Sequence, residues 1–200
     1  LAVLVLVGMT GCKSITDITN SLSSLDKLEF KLNNITNMRL AGVDVTKVSS
    51  PTRLSIADGL ALTNAFARKS LPATFTLNVD ARNPNNGSGA TRSVPLTLDG
   101  FDWQLLIDDT KTIGGNLANP IDIPGTSSNT NIPLSVDLDL YKFFANKGYD
   151  GIVNLALALG GANGSTARVK LDAQPSVGTP FGRMNYPGRI TIVDKEFRGG

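Results

Sequence analysis

Few side chains in this sequence could do chemistry. There is one cysteine, Cys12, there are two close pairs of carboxylates, Asp108-Asp109 and Asp137-x-Asp139, and serines and lysines are scattered throughout. The 200 residues contain no histidine. An imidazole general base, a Cys–His nucleophile pair, a zinc site with several nitrogen or sulfur ligands and an internal disulfide therefore cannot be assembled. A Ser–Lys dyad remains open to such a chain, but no Gly-x-Ser-x-Gly elbow presents a nucleophile. Neighbours on a strand point to opposite faces, so Asp108 and Asp109 cannot line one site without a bend. Asp137 and Asp139 share the face opposite Val136 and Leu138, which is expected to be the solvent face. The stretch Gly160-Gly161-Ala162-Asn163-Gly164 lacks the Gly-Lys-Ser/Thr ending of a phosphate loop. A net charge of +2, from 19 basic and 17 acidic residues without runs, offers no stripe for a phosphate backbone. The expectation is a protein without catalytic residues, metal or cofactor, and one that does not bind nucleic acid.

The context of Cys12 is specific. Leu1 to Val7 is unbroken and apolar, Gly8-Met9-Thr10-Gly11 follows, and the first charge, Lys13, comes only after the cysteine. The apolar stretch is too short for a bilayer span, which needs ~20 residues. Small residues directly before Cys12 are similar to the bacterial lipobox, in which the sulfur receives a diacylglyceryl group and the freed amine a further acyl chain. At ~0.8 kcal/mol per buried CH₂, two or three chains anchor stably where one is marginal. The expected organisation is a lipoprotein signal peptide, truncated at its start, in residues 1–11, then the lipidated Cys12 and a polar tether through residue 26. One domain follows over residues 27–200. The expected location is the bacterial cell envelope, with Lys13 favouring the outer membrane facing the periplasm.

Strict alternation dominates the remainder. Leu28, Phe30 and Leu32 share one parity, as do Phe75, Leu77, Val79 and Ala81, and Ile132, Leu134, Val136, Leu138 and Leu140. Twice the buried parity changes phase, at Ala41-Gly42 and at Asp99-Gly100, which predicts a bulge or tight turn at each. Ser55-Ile56-Ala57-Asp58 reads as a capping box, and Ile56, Leu60, Thr63, Phe66 and Ala67 as the core-facing stripe of the helix it starts. Short helices are expected over Tyr141 to Lys147 and Ile152 to Leu159, although Leu155, Leu157 and Leu159 would also suit a strand. With 15 Asp against 2 Glu, 20 Gly and 10 Pro, the chain is turn-rich. The predicted fold is mainly β: an Ig-like antiparallel β-sandwich with two or three short helices packed at its side, α+β by some counts.

A strand ending in Asn83-Pro84-Asn85, a hairpin, an alternating strand through Leu96, Leu98, Phe101 and Trp103, then Ile113-Gly114 and Ile132-Pro133-Leu134 resembles the type-2 late embryogenesis abundant family. Its shared unit is the water stress and hypersensitive response domain. Gly182 to Ile192, with Tyr186-Pro187-Gly188, is similar to the end of bacterial lipoprotein members. The resemblance implies a folded, non-catalytic β-sandwich linked with desiccation and other stress, with apolar-ligand binding in some relatives. It makes Asn83, Pro84 and Asn85 a structural turn.

Trp103 continues the buried parity of Phe101 and Leu105, whereas Phe143 and Phe144, adjacent on a short helix, cannot both point inward. These three are the candidate contacts for an apolar ligand. The expected function is that of a membrane-anchored, non-catalytic envelope lipoprotein with a stress-protective or binding role. Its partners would be membrane lipid through acylated Cys12 and an apolar ligand or envelope protein. Two alternatives are a carrier of lipid or another apolar ligand, and a structural subunit of an envelope complex.

Overall fold

The computed structural model describes residues 25, 27–85, 87, 93, 95–161, 167–179 and 182–193. The signal segment, Cys12 and nearly all of the tether lie outside the described residues.

The chain forms β1 (Glu29–Leu40), β2 (Val43–Asp44), α1 (Ile56–Ala67), β3 (Pro72–Arg82), β4 (Leu96–Ile107), β5 (Thr110–Gly115), β6 (Ile121–Ile123), β7 (Asn129–Asp139), α2 (Leu140–Phe144), α3 (Gly148–Leu159), β8 (Val169–Thr179), β9 (Gly182–Asn185) and β10 (Ile190–Ile192). Two antiparallel sheets result. One has the order β2-β1-β3-β7; the other runs β10-β8-β4-β5, with β6 on β4 and β9 on β8. This is the mainly β sandwich with few helices that the alternation predicts.

Each alternating run buries the expected parity. Phe30, Leu32, Leu77, Val79, Ile132 and Leu134 face inward from the first sheet, and Leu98, Phe101, Trp103, Leu105, Leu171 and Ala173 from the second. Phe30 and Phe101 meet across the sandwich with ring centroids 5.5 Å apart. At ~1.5–3 kcal/mol for each large apolar side chain removed from water, this double layer supplies the main folding drive.

The two phase changes use different devices. Leu40 pairs directly with Val43, and the intervening Ala41 and Gly42 have φ of 46° and 86°, a two-residue reversal. At Asp99-Gly100 the β4–β8 register shifts between Leu98 and Gly100, a bulge inside a continuous strand. A Cβ on Gly100 would lie 2.5 Å from the Ser176 hydroxyl, so a larger residue here would force that side chain to shift.

Helix α1 begins as expected and then departs from expectation. Ser55 is its N-cap: its hydroxyl accepts from the Asp58 amide at 3.1 Å and donates to the Asp58 carboxylate at 2.6 Å. The helix turns the other way round from the predicted stripe. Leu62 and Ala65 are buried and Phe66 half-buried, whereas Ile56, Leu60, Thr63 and Ala67 face solvent. The reason lies in its neighbours. Phe66 stacks edge-on against Tyr141 and Tyr149 at 5.3 and 5.7 Å, which fixes that flank inward.

Candidate functional site

The outer face of the second sheet carries a built polar surface. Asp102 and Gln104 alternate outward on β4, and Asp172 does so on the paired strand β8. The Arg189 guanidinium lies across both strands. Its Nη1 donates to the Asp102 carboxylate at 3.0 Å, its Nη2 to the Asp172 carbonyl at 2.8 Å, and its Nε pairs with the Asp172 carboxylate at 3.3 Å. With Lys111, Asn116 and the Gly114-Gly115 end of β5, these residues line an open depression of about 650 Å³. Two carboxylates and two cations leave it electrically balanced, and Arg189 engages both carboxylates. The arrangement can hold a polar ligand through paired donors and acceptors.

Trp103 borders the same depression, and its indole packs inward at 4% exposure. A Cβ on Gly115 would come within 2.7 Å of the indole Cζ2, so β5 lies directly on the ring and needs glycine there. Trp103 Nε1 has no hydrogen-bond partner among the described residues. Phe144 is buried at 2% exposure and Phe143 is half-buried, their rings 6.4 Å apart. Both sit on α2, and neither lines the depression beside Trp103. The structure therefore does not bring the three aromatic residues together there.

The Asn83-Pro84-Asn85 turn is a joint between the sheets. Asn83 is fully buried; its Nδ2 donates to the Ile123 carbonyl at 3.3 Å, and its Oδ1 accepts from the Asn85 amide at 3.1 Å and the Asn85 side chain at 2.8 Å. Its own carbonyl accepts from the Ser127 amide at 3.0 Å. The end of β3 in one sheet is thereby fastened to β6 and its following loop in the other. A buried amide leaves few polar atoms unmatched when so bonded, which explains Asn at this position.

Asp108, Asp109 and Asp139 serve the scaffold, and Asp137 is exposed on β7. Asp108 and Asp109 form the two-residue turn between β4 and β5, at φ of 48° and 63°. Burial pushes the Asp108 carboxyl up, but the Arg168 amide and the Lys147 ammonium outweigh it and hold it below the usual range. The hydrogen bond from Lys170 and the nearby Arg168 charge do the same for Asp109. Asp139 caps α2 by accepting from the Tyr141 amide at 3.0 Å, and it also accepts from the Leu71 amide at 2.8 Å and the Ser70 hydroxyl at 2.9 Å. Among the described residues no group of three or more His, Cys, Asp or Glu could hold a metal ion.

Sequence reasoning missed the arginines. Arg183 donates to the Asp99 carboxylate at 2.8 Å and holds that carboxyl below its ordinary value. Arg183 and Arg189 find acceptors 84 and 87 residues away, a separation that leaves no local signal.

No family model matches the chain, and no curated protein matches it. Two solved structures are similar to parts of it. One is the crystal structure of a protein from Archaeoglobus fulgidus, 13% identical over 64% of this chain and 82% of that chain, with a TM-score of 0.32. The other is the solution structure of a protein from Arabidopsis thaliana, 13% identical over 84% of this chain and 83% of that chain, with a TM-score of 0.38. Likeness at this level carries no argument about family or function, and the functional reading rests on the chain's own residues.

Proposed function

We propose that this protein is a bacterial envelope lipoprotein, held to a membrane by lipid on Cys12, whose β-sandwich binds a partner without catalysis and serves a stress-protective role. The single observation that carries this reading is the placement of the only cysteine directly behind an apolar run and Gly8-Met9-Thr10-Gly11. The geometry of the described domain supports the non-catalytic half. Asp99, Asp102, Asp108, Asp109, Asp139 and Asp172 are engaged by arginine, lysine or backbone amides in strand, turn and cap roles.

A carrier of bulky lipid is the less favoured reading. One opening, beside β1 and β8 and lined by Leu32, Ile35, Leu77 and Val169 together with Asn33 and Asn34, has about 120 Å³. Ordinary ligand pockets begin at ~300 Å³. Metabolic labelling with palmitate tests the anchor: the wild type incorporates label and Cys12→Ser does not. Label that persists in Cys12→Ser overturns the proposal.

A further inference from the structure

We infer that helix α1 is a membrane-contact surface, laying its outward face on a bilayer that carries anionic headgroups. Among the described residues the exposed large apolar side chains are Ile56, at 94%, and Leu60, at 60%. They stand one helical turn apart on one face of one helix. Thr63 and Ala67 continue that stripe, and all four are exposed. The only charge in the 12-residue helix is Asp58, whose carboxylate is held by the Ser55 hydroxyl in the cap. The outward stripe itself carries no charge and leaves two large apolar side chains uncovered by the sandwich.

The charges that do occur flank it. Arg53 precedes the helix and Arg68 and Lys69 follow it, all three exposed and without an ion-pair partner among the described residues. Over residues 44–69 the cations Lys47, Arg53, Arg68 and Lys69 outnumber Asp44 and Asp58 by two, which equals the net +2 of the whole chain. An apolar stripe bounded by basic residues is the pattern of a helix lying in a headgroup interface, where anionic lipid attracts the cations and the acyl boundary takes the apolar face. A second copy of this chain fits less well, because a two-fold pairing of the stripes brings Arg53, Arg68 and Lys69 of both copies together.

The surface is compatible with the proposed anchor. The tether enters at the Glu29 end of β1, and α1 packs beside β2 at the opposite end, about 36 Å away at ~3.3 Å per strand residue. Thirteen residues from Cys12 to Leu25 reach at most ~45 Å extended. One bilayer can thus receive both the lipid and the helix. The inference rests on the anchor only for which membrane is touched.

Sedimentation with vesicles tests it separately, using the full chain as Cys12→Ser so that no acyl chain contributes. Binding to equimolar phosphatidylcholine and phosphatidylglycerol, weak binding to phosphatidylcholine alone and release by salt are expected. The double substitution Ile56→Asp with Leu60→Asp should lower partitioning by about tenfold or more, with the thermal transition unchanged because neither side chain is buried. Neutralising Arg53, Arg68 and Lys69 to Gln should cost about fivefold per cation. Vesicle binding that survives the Asp pair overturns the inference, whatever segment is responsible. A dimer in sedimentation velocity that the Asp pair dissociates, with no vesicle binding, overturns it in favour of a second copy.

Discussion

Helices α1 and α3 are both 12 residues long, each has Asp-Gly at its third and fourth positions, and each contains eight apolar residues. Their surroundings differ sharply. Helix α3 buries Ile152, Val153, Leu155, Ala156, Leu157 and Leu159, and only Asp150 and Asn154 along it are exposed. Helix α1 buries Leu62 and Ala65. Four of the eight apolar residues in α1 are alanine, against two in α3, so α1 has less side-chain area to gain from the core. Equal apolar content therefore does not mean equal burial. Helix α3 is a structural wall, and α1 is attached by a narrow seam that leaves its other face available.

The difference is testable first at its strongest point. Leu157 is fully buried in α3, and Leu157→Asp places a carboxylate among apolar neighbours without a partner. A loss of more than about 4 kcal/mol is expected, enough to remove the cooperative thermal transition. A Leu157→Asp variant that melts near the wild-type temperature would show that α3 is as loosely held as α1.

Within α1 the contrast is between neighbours. Leu62 is fully buried and Leu60 is 60% exposed. Leu62→Ala should cost about 2–4 kcal/mol in urea unfolding, and Leu60→Ala should stay within about 0.5 kcal/mol. Equal losses at the two positions would mean that the outward stripe is covered in solution.

Much of the sandwich was legible because strand alternation has a period of two and each buried residue is a separate witness to it. Phe30, Leu77, Leu105 and Ile132 all face the core that their parity assigns. Parity also located both phase changes, since a single-residue slip flips every following side chain. It could not say that Ala41-Gly42 reverses the chain while Asp99-Gly100 only bulges it, because a reversal and a bulge shift the count alike. Helix α1 was less legible for a related reason. Ile56, Leu60 and Ala67 form one apolar stripe and Leu62, Ala65 and Phe66 another, and the choice was made by Tyr141 and Tyr149, far along the chain. The acidic pairs misled in a different way. On a strand Asp108 and Asp109 would face opposite ways, whereas both residues adopt positive φ in the turn, a conformation Asp tolerates better than most residues. The depression on the second sheet had no signal at all, since Arg189 reaches Asp102 from 87 residues away.

The smallest expected effect concerns how the start of α3 is tied to the second sheet. Lys147, immediately before the helix, pairs with Asp108 at 3.1 Å, whereas no comparable ion pair joins α1 to a sheet among the described residues. The Asp108 carboxyl sits below its ordinary value in the folded chain, where Arg168 and Lys147 outweigh the effect of burial. A carboxyl depressed by folding binds its proton more readily in the unfolded chain, so its stabilising contribution is complete above the unfolded value of about 3.9 and fades as pH falls through the lower folded value. Asp99 and Asp109 shift in the same direction. With no histidine in the chain, stability should be nearly flat between about pH 5 and 8 and should decline in acid. Asp108→Asn keeps a residue that accepts positive φ but removes the charge. Its thermal midpoint should fall slightly below wild type at neutral pH, and the gap should close as the pH drops below about 4. A gap that is constant across the whole range would show that the Asp108 charge contributes nothing, and that α3, like α1, owes nothing to charge for its place on the sandwich.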